Sequence, residues 1–137
     1  MQLQLSLAVT TAGDRGTRAS LVASGEIDIA SARQLHAAAL AVVATANPRP
    51  EEPVTLVLDW EQVKFLDSSG VHLLQDIHAE GLERGWGLEL ILPSAPAPTR
   101  LLRFAADLGW FPRQLIPQLP AQSRPTSSDS SLITSVA

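Results

Sequence analysis

Cysteine is absent from this chain of 137 residues, which excludes disulfides, thiolate zinc sites and cysteine catalysis. The sequence also predicts neither an export signal nor a membrane span. The N-terminal MQLQLSLAVT alternates polar and apolar residues, and no continuous apolar run approaches the roughly 18 residues that cross a bilayer. Basic residues are few enough to leave a net charge of -4, which argues against a nucleic-acid partner. We therefore expect a cytoplasmic protein that neither inserts into a membrane nor binds nucleic acid.

Phosphate-binding loops are also missing, because the chain contains neither GxxxxGK nor GxGxxG and so lacks the parts of a kinase. The strongest set of metal-ligand residues that the sequence offers is Glu26, Asp28 and Asp67. Roles in turns, in helix caps or on the solvated surface explain such carboxylates better than a metal ion does. We expect no cofactor and no metal site.

Alternating polar and apolar residues predict two strands at the start of a single domain with a modest core. Leu3, Leu5 and Leu7 share one face of QLQLSLAV, and RASLVASG follows after the polar turn TTAGDRGT. The two strands are predicted to form a hairpin.

The pattern then changes to the period of a helix. Ser31, followed three residues later by Gln34, predicts a capping box. The helix that follows carries one apolar stripe, formed by Leu35, Ala38, Ala39, Val42, Val43 and Ala46. The prolines of NPRPEEP predict a loop after it.

The rest of the chain predicts two more strands and two more helices. VTLVLDW and LELILP are apolar on both faces, as buried strands are. A helix is expected from about Ser69 to Arg84, with Glu80 and Arg84 forming an exposed pair, and another ends at Gly109. The inner side of the first of these helices is predicted to consist of Leu73, Leu74, Ile77 and Gly81. From residue 118 onward the chain is rich in Ser and Pro, which predicts a disordered tail over 118–137.

The order of these elements predicts an α/β domain. Strand–helix–strand units produce parallel neighbours, and the opening hairpin adds an antiparallel edge, so the sheet should be mixed. Loops beyond the carboxyl ends of strands carry function in open sheets of this kind. GEID and LDSSG both follow strands and should lie near that end.

The two serines of DSSG have three candidate roles: nucleophile, helix cap or modification site. A hydrolase elbow would need glycine two residues before the serine, where Leu66 stands, and no triad-like motif surrounds any histidine. Capping needs only one of Asp67, Ser68 and Ser69, and capping by itself could explain the motif. The remaining polar residues lie at a helix N-terminus, where an added phosphate is favoured by the backbone N–H groups. A phosphate on Ser68 would place its charge beside Asp67 and change what binds there.

Four segments resemble the STAS domain and, within it, bacterial anti-sigma factor antagonists. These segments are ASGEIDIASARQL, VTLVLDWEQVKFLDSSGVHLL, ERGWGLELILPSAPAPTRLL and DLGWFP. The resemblance assigns residues 1–117 to one STAS domain, with a mixed sheet of four to five strands and helices packed mainly on one face.

The resemblance also implies a function. The family's phosphorylation site corresponds to Ser68, the first serine after Asp67. Unphosphorylated, such a protein binds an anti-sigma factor that is also a serine kinase and frees the sigma factor; phosphorylation ends the binding, and a separate serine phosphatase restores it. The chain would regulate transcription without being an enzyme. The implied partner surface comprises Gly25, Glu26, Ile27, Asp28, Asp67, Ser68, Ser69, Gly70, His72, Gln75 and Asp76. The mild acidity of this surface suits a partner with basic residues.

Two residues depart from the family pattern, His72 and Trp60, and both are expected on or near the partner surface. An alternative function stays open: STAS domains also serve as unphosphorylated accessory subunits of lipid-transport ATPases or of stress-signalling assemblies. The resemblance leaves the oligomeric state open, a homodimer included.

Overall fold

The computed structural model describes residues 3–11, 16–46 and 53–117 of the chain. In these ranges the chain forms four strands, three α-helices and one short 3-10 helix. Their bounds are β1 Gln4–Thr11, β2 Thr17–Ile27, α1 Ile29–Ala46, β3 Val54–Leu66, α2 Ser68–Arg84, β4 Gly87–Ile91, α3 Pro96–Asp107 and the 3-10 helix Arg113–Leu115.

The four strands form one mixed sheet in the order β1-β2-β3-β4. β1 pairs with β2 in antiparallel register, which confirms the predicted hairpin. β2, β3 and β4 run parallel to one another, as expected for strands joined through helices. The carboxyl ends of β2 and β3 therefore lie at the same edge of the sheet, and α1 and α2 both begin there.

One face of the sheet carries the core. Ala19 and Leu21 of β2 lie opposite Leu56 and Leu58 of β3, and Leu58 in turn lies opposite Leu90 of β4. All five side chains are buried and belong to a single apolar cluster with residues of the three helices. The predicted packing of helices on one face of the sheet is confirmed.

The other face of the sheet is crossed by an ion pair. The Arg18 guanidinium donates two hydrogen bonds to the Glu89 carboxylate, at 2.6 and 3.1 Å. Bonding to Glu89 raises the pKa of Arg18. Val57 is buried on this face and does not belong to the core cluster. The face thus holds a bidentate contact between β2 and β4 across the strand that separates them.

The apolar stripe of α1 and the inner side of α2 are confirmed as parts of the core. Glu80 and Arg84 also form the predicted ion pair, at 3.0 Å. β3 is longer than the seven-residue strand predicted, because it continues from Trp60 through Leu66. Trp60, which was expected on or near the partner surface, is not on it: its side chain is 0% exposed and packs in the core.

α1 is long and apolar enough, by length and composition alone, to pass a test for a membrane span. That test is also met by core helices of soluble proteins. α1 packs against β2, β3 and α2, with Leu35 and Ala39 fully buried, so its apolar stripe is already covered by protein. The predicted tail over 118–137 and most of the predicted loop NPRPEEP lie outside the described residues.

Candidate functional site

The segments GEID and DSSG come together at the carboxyl edge of the sheet. Ile27 and Leu66 are paired residues of β2 and β3, and the Asp67 amide donates to the Ile27 carbonyl at 3.4 Å. This juxtaposition confirms the sequence prediction. One detail differs, because Gly25–Ile27 belong to β2 and only Asp28 follows the strand.

Asp28 is the N-cap of α1. Its Oδ1 accepts hydrogen bonds from the amides of Ala30 and Ser31, at 3.1 and 3.0 Å. The Ser31 hydroxyl reciprocates by accepting from the Asp28 amide at 2.9 Å. The same hydroxyl has the Glu26 carbonyl and Asp28 Oδ1 at 3.0 Å as acceptors for its proton. The predicted capping box of Ser31 and Gln34 is therefore wrong. Ser31 lies inside the helix and is the second residue of a capping box whose N-cap is Asp28.

The electrostatic state of Asp28 follows from this network. Hydrogen bonds from the Ser31 amide and hydroxyl favour the ionised carboxylate and lower the pKa of Asp28. The carboxylate is thus held in its charged form at the N-terminus of α1, where the helix dipole also favours a negative charge.

Asp67 caps α2 in a simpler way. Its Oδ1 accepts from the Ser69 amide at 2.9 Å, and its carbonyl accepts from the Gly70 amide at 3.0 Å. Ser68 is the first residue of α2 and is exposed, whereas Ser69 is half-buried. Neither serine hydroxyl forms a hydrogen bond with any residue that the structure describes. Asp67 alone is therefore the cap, and the Ser68 hydroxyl is free for other chemistry.

Gly70 is required by close packing beneath this junction. A Cβ at this position would lie 2.0 Å from Leu66 Cδ1 and 3.3 Å from Ile27 Cγ2. The space is filled because α2 begins directly over the paired ends of β2 and β3. Gly25 is required for a different reason: its φ of 103° lies in the left-handed region, at an irregularity between β2 and β3.

The exposed side of α2 continues from Ser68 through His72 and Gln75. Residues three and four apart share a helix face, and His72 and Asp76 are exposed while Gln75 is half-buried. The His72 ring stacks on Trp110 with centroids 5.9 Å apart. Gln75 Nε2 donates to the Trp110 carbonyl at 2.9 Å. Five of the six partner-surface residues predicted on α2 are thus at least partly accessible, and Trp110 joins them from the segment after α3. The sixth, Gly70, is buried, and so is Ile27 of β2, so neither of these two residues is presented at the surface.

A groove lies between the N-terminal halves of α1 and α2 and borders this surface. Its walls are Ile29, Ala32, Arg33, His36, Ser69, His72, Leu73 and Asp76. Sequence reasoning did not select the α1 residues or Trp110. The only signal for the α1 wall was its helical spacing, and Trp110 is 35 residues from Gln75, so no local pattern could have revealed that contact.

Nucleophilic catalysis finds no support in this geometry. Activation of a serine needs a base within hydrogen-bond reach, and no side chain in the described part of the chain hydrogen-bonds either serine hydroxyl. Within the described ranges, no three histidine, aspartate or glutamate residues cluster as metal ligands. Glu26, Asp28 and Asp67, the set that the sequence offered, do not form such a cluster.

Comparisons with known proteins agree with the geometry. A family model described as "Mlab, STAS domain" matches residues 10–110. The crystal structure of an anti-sigma factor antagonist from Mycobacterium paratuberculosis is similar, with a TM-score of 0.57, 29% identity, and coverage of 85% of this chain and 88% of that one.

The anti-sigma factor antagonist SpoIIAA in its unphosphorylated form shares the fold, with a TM-score of 0.50, 23% identity, and coverage of 80% and 84% of the two chains. No curated protein matches the sequence significantly. The family model spans most of the chain and includes both strand-to-helix junctions. The chain belongs to the STAS domain family.

Proposed function

We propose that this protein is an anti-sigma factor antagonist that is switched by phosphorylation of Ser68. The observation that carries the proposal is that the cap of α2 and the accessible hydroxyl belong to different residues. Asp67 supplies the cap, so the exposed Ser68 hydroxyl is accessible and uncommitted within the described part of the chain. Phosphorylation there would leave the Asp67–Ser69 hydrogen bond intact, and the fold would tolerate the added group.

The partner in this proposal is an anti-sigma factor that is also a serine kinase. The surface around Ser68 combines acidic and apolar groups: Asp28 and Asp67 cap the two helices, and Ile29 and Phe65 are 69% and 47% exposed. Exposed apolar side chains beside charged groups are suited to protein docking. A partner with basic residues around an apolar contact would fit this surface and release its sigma factor on binding.

Phosphorylation would end that binding. A phosphoserine carries about −1.5 to −2 charges at neutral pH. At position 68 it would add bulk and negative charge beside Asp67, at the centre of the docked surface. A buried, unpaired charge in an interface is costly. A separate serine phosphatase would then restore the binding form.

The test uses the purified chain, ATP and recombinant serine kinases of the anti-sigma class from the same cell, with the modified residue mapped by mass spectrometry. Wild type and Ser69→Ala should be labelled on Ser68, and Ser68→Ala should not be labelled. The adjacent Ser69→Ala is the matched control because it removes an equivalent hydroxyl. Equal labelling of Ser68→Ala and wild type, or phosphate found on Ser69, would contradict the proposal.

A second candidate function follows from the family description, which names Mlab. In it the same surface docks, unphosphorylated, on the ATPase of a lipid transporter or in a stress-signalling assembly. Purification from the native cell separates the two candidates. Co-purification of a transporter ATPase, with Ser68 unmodified in the intact-protein mass, would favour the accessory role over the kinase partner.

A further inference from the structure

Three residues on the exposed side of the candidate site form a hydrogen-bonded relay. Gln75 Nε2 donates to the Trp110 carbonyl at 2.9 Å, which turns the amide oxygen of Gln75 toward His72. Since that oxygen only accepts, the 3.2 Å contact from His72 Nδ1 requires the proton on Nδ1. In a neutral ring, the lone pair of His72 is therefore on Nε2.

Ser68 lies one helical turn before this relay. Residues four apart on a helix are neighbours, with Cβ atoms about 5–6 Å apart. The His72 ring contacts Gln75 and Trp110. Long helical side chains lean toward the N-terminus, which is the direction in which Ser68 lies. Ser68 and His72 are both exposed. A phosphate on Ser68 would thus lie within reach of the one ring nitrogen that the relay leaves free.

We propose that His72 forms an ion pair with the phosphate on Ser68. The contacts from His72 through Gln75 to Trp110 then hold Trp110 more tightly against α2. The proposal rests on phosphorylation of Ser68, which is part of the proposed function. His72 Nε2 takes up a proton from solvent and donates it to a phosphate oxygen. Nδ1 keeps its proton and donates to Gln75 Oε1, now as part of a charged ring. The stack on Trp110 becomes a cation–π contact, which is stronger than the neutral one.

Other charged groups surround His72 and enter the experiment as controls. Arg33 and His36 of α1 and Asp76 of α2 line the same groove. Arg33 would attract the phosphate independently of His72, and Asp76 would favour the charged ring. On the side of Trp110, Asp107 and Arg113 are paired with each other. Asp67 would repel the phosphate in every variant equally.

The experiment installs phosphoserine at position 68 of the full chain during translation, so it needs no partner kinase. The ³¹P NMR signal is followed as a function of pH, starting from the ordinary second pKa of phosphoserine, about 6. We expect the titration midpoint in the wild-type chain to lie about half a pH unit below that in His72→Gln, because a charged ring favours the dianion. His78→Gln, which removes a half-buried histidine elsewhere on α2, should leave the midpoint where it is in wild type.

The relay itself is tested by amide exchange at Trp110, whose N–H is bonded to the Ala105 carbonyl at 3.0 Å. Phosphorylation should slow this exchange several-fold in the wild-type chain and should leave it unchanged in both His72→Gln and Gln75→Ala. Equal ³¹P midpoints in wild type and His72→Gln would overturn the proposal. So would a difference between wild type and His72→Gln that disappears when both chains also carry Arg33→Gln, because the effect would then belong to Arg33.

The two proposals fail separately. If kinases never label Ser68, the switching function is wrong, and the installed phosphoserine still reports whether His72 pairs with a phosphate at that position. If the midpoints are equal while kinases do label Ser68, the relay is wrong and the switching function stands.

Discussion

Two strand-to-helix junctions lie side by side at the carboxyl edge of the sheet. They differ in how many of their polar side chains form hydrogen bonds that cap the helix. At the first junction Asp28 caps α1 and Ser31 answers it, so two residues share a closed set of hydrogen bonds. At the second junction Asp67 caps α2 through one side-chain bond, and the serine hydroxyls form no bond within the described part of the chain. The polar side chains of the first junction stabilise the start of α1, whereas the second junction leaves the Ser68 hydroxyl accessible.

The difference traces to one position. Ser31 and Gly70 are each three residues after the capping aspartate, where a capping box places its second side chain. At the second junction any side chain there would collide with Leu66. The close approach of α2 to the sheet therefore prevents the reciprocal bond. As a consequence, the start of α2 presents Ser68 at the surface without a competing network.

The largest effect is expected from Gly70→Ser. This substitution gives the second junction a serine at the position that Ser31 occupies in the first. Local pattern alone predicts stabilisation by a new capping box. We expect destabilisation by about 2 kcal/mol instead, because the added Cβ would overlap the buried Leu66 side chain. Urea denaturation of wild type and variant measures the free energy of unfolding. An unchanged or larger value in Gly70→Ser would show that α2 has room to move away from the sheet.

A smaller effect is expected at the first junction from Ser31→Ala. The substitution leaves the Asp28 amide without its acceptor and removes the bond to the Glu26 carbonyl. The loss of this half-buried hydroxyl should cost about 1–2 kcal/mol of unfolding free energy. Ser68→Ala, at the exposed start of α2, is the matched control and should stay within about 0.5 kcal/mol of wild type. Equal losses in the two variants would contradict the contrast between the junctions.

The smallest expected effect is a dependence on pH that belongs to the first junction. The pKa of Asp28 is lowered from its ordinary value of 3.8, mainly by hydrogen bonds from Ser31. A carboxyl with a lowered pKa stabilises the fold fully above its unfolded value, and the contribution is lost as the pH falls through the lower, folded value. The stability advantage of wild type over Asp28→Asn should therefore shrink below about pH 4.

Thermal denaturation across the acid range measures this dependence. Ser31→Ala is the control: it removes the hydroxyl bond to Asp28, the second cause of the lowered pKa, and keeps the bond from the Ser31 amide, which is the larger cause. The advantage of the Asp28 carboxylate should depend less on pH in the Ser31→Ala background than in wild type. An advantage that is constant from neutral to acid pH would mean that the network does not favour the ionised form.

The family could be predicted from the sequence because the patterns that indicate it are formed by residues close together in the chain. The alternation in β1 and β2, the apolar stripe of α1 and the segment around Ser68 depend on residues within a few positions of each other. The same local reasoning failed at Ser31. A serine followed by a glutamine three residues on satisfies the rule for a helix start, but the chain had already turned into α1 at Asp28.

Sequence alone determined the order of strands and helices, the mixed sheet and the meeting of the two junctions at one edge, since period and connection length constrain each of these. Tertiary structure decided which side chains act there. Burial of Trp60 removed it from the surface, the contact of Leu66 with Gly70 left Ser68 free, and the approach of Trp110 created a relay with His72. These contacts join distant or differently packed parts of the chain, and only the closed fold brings them together.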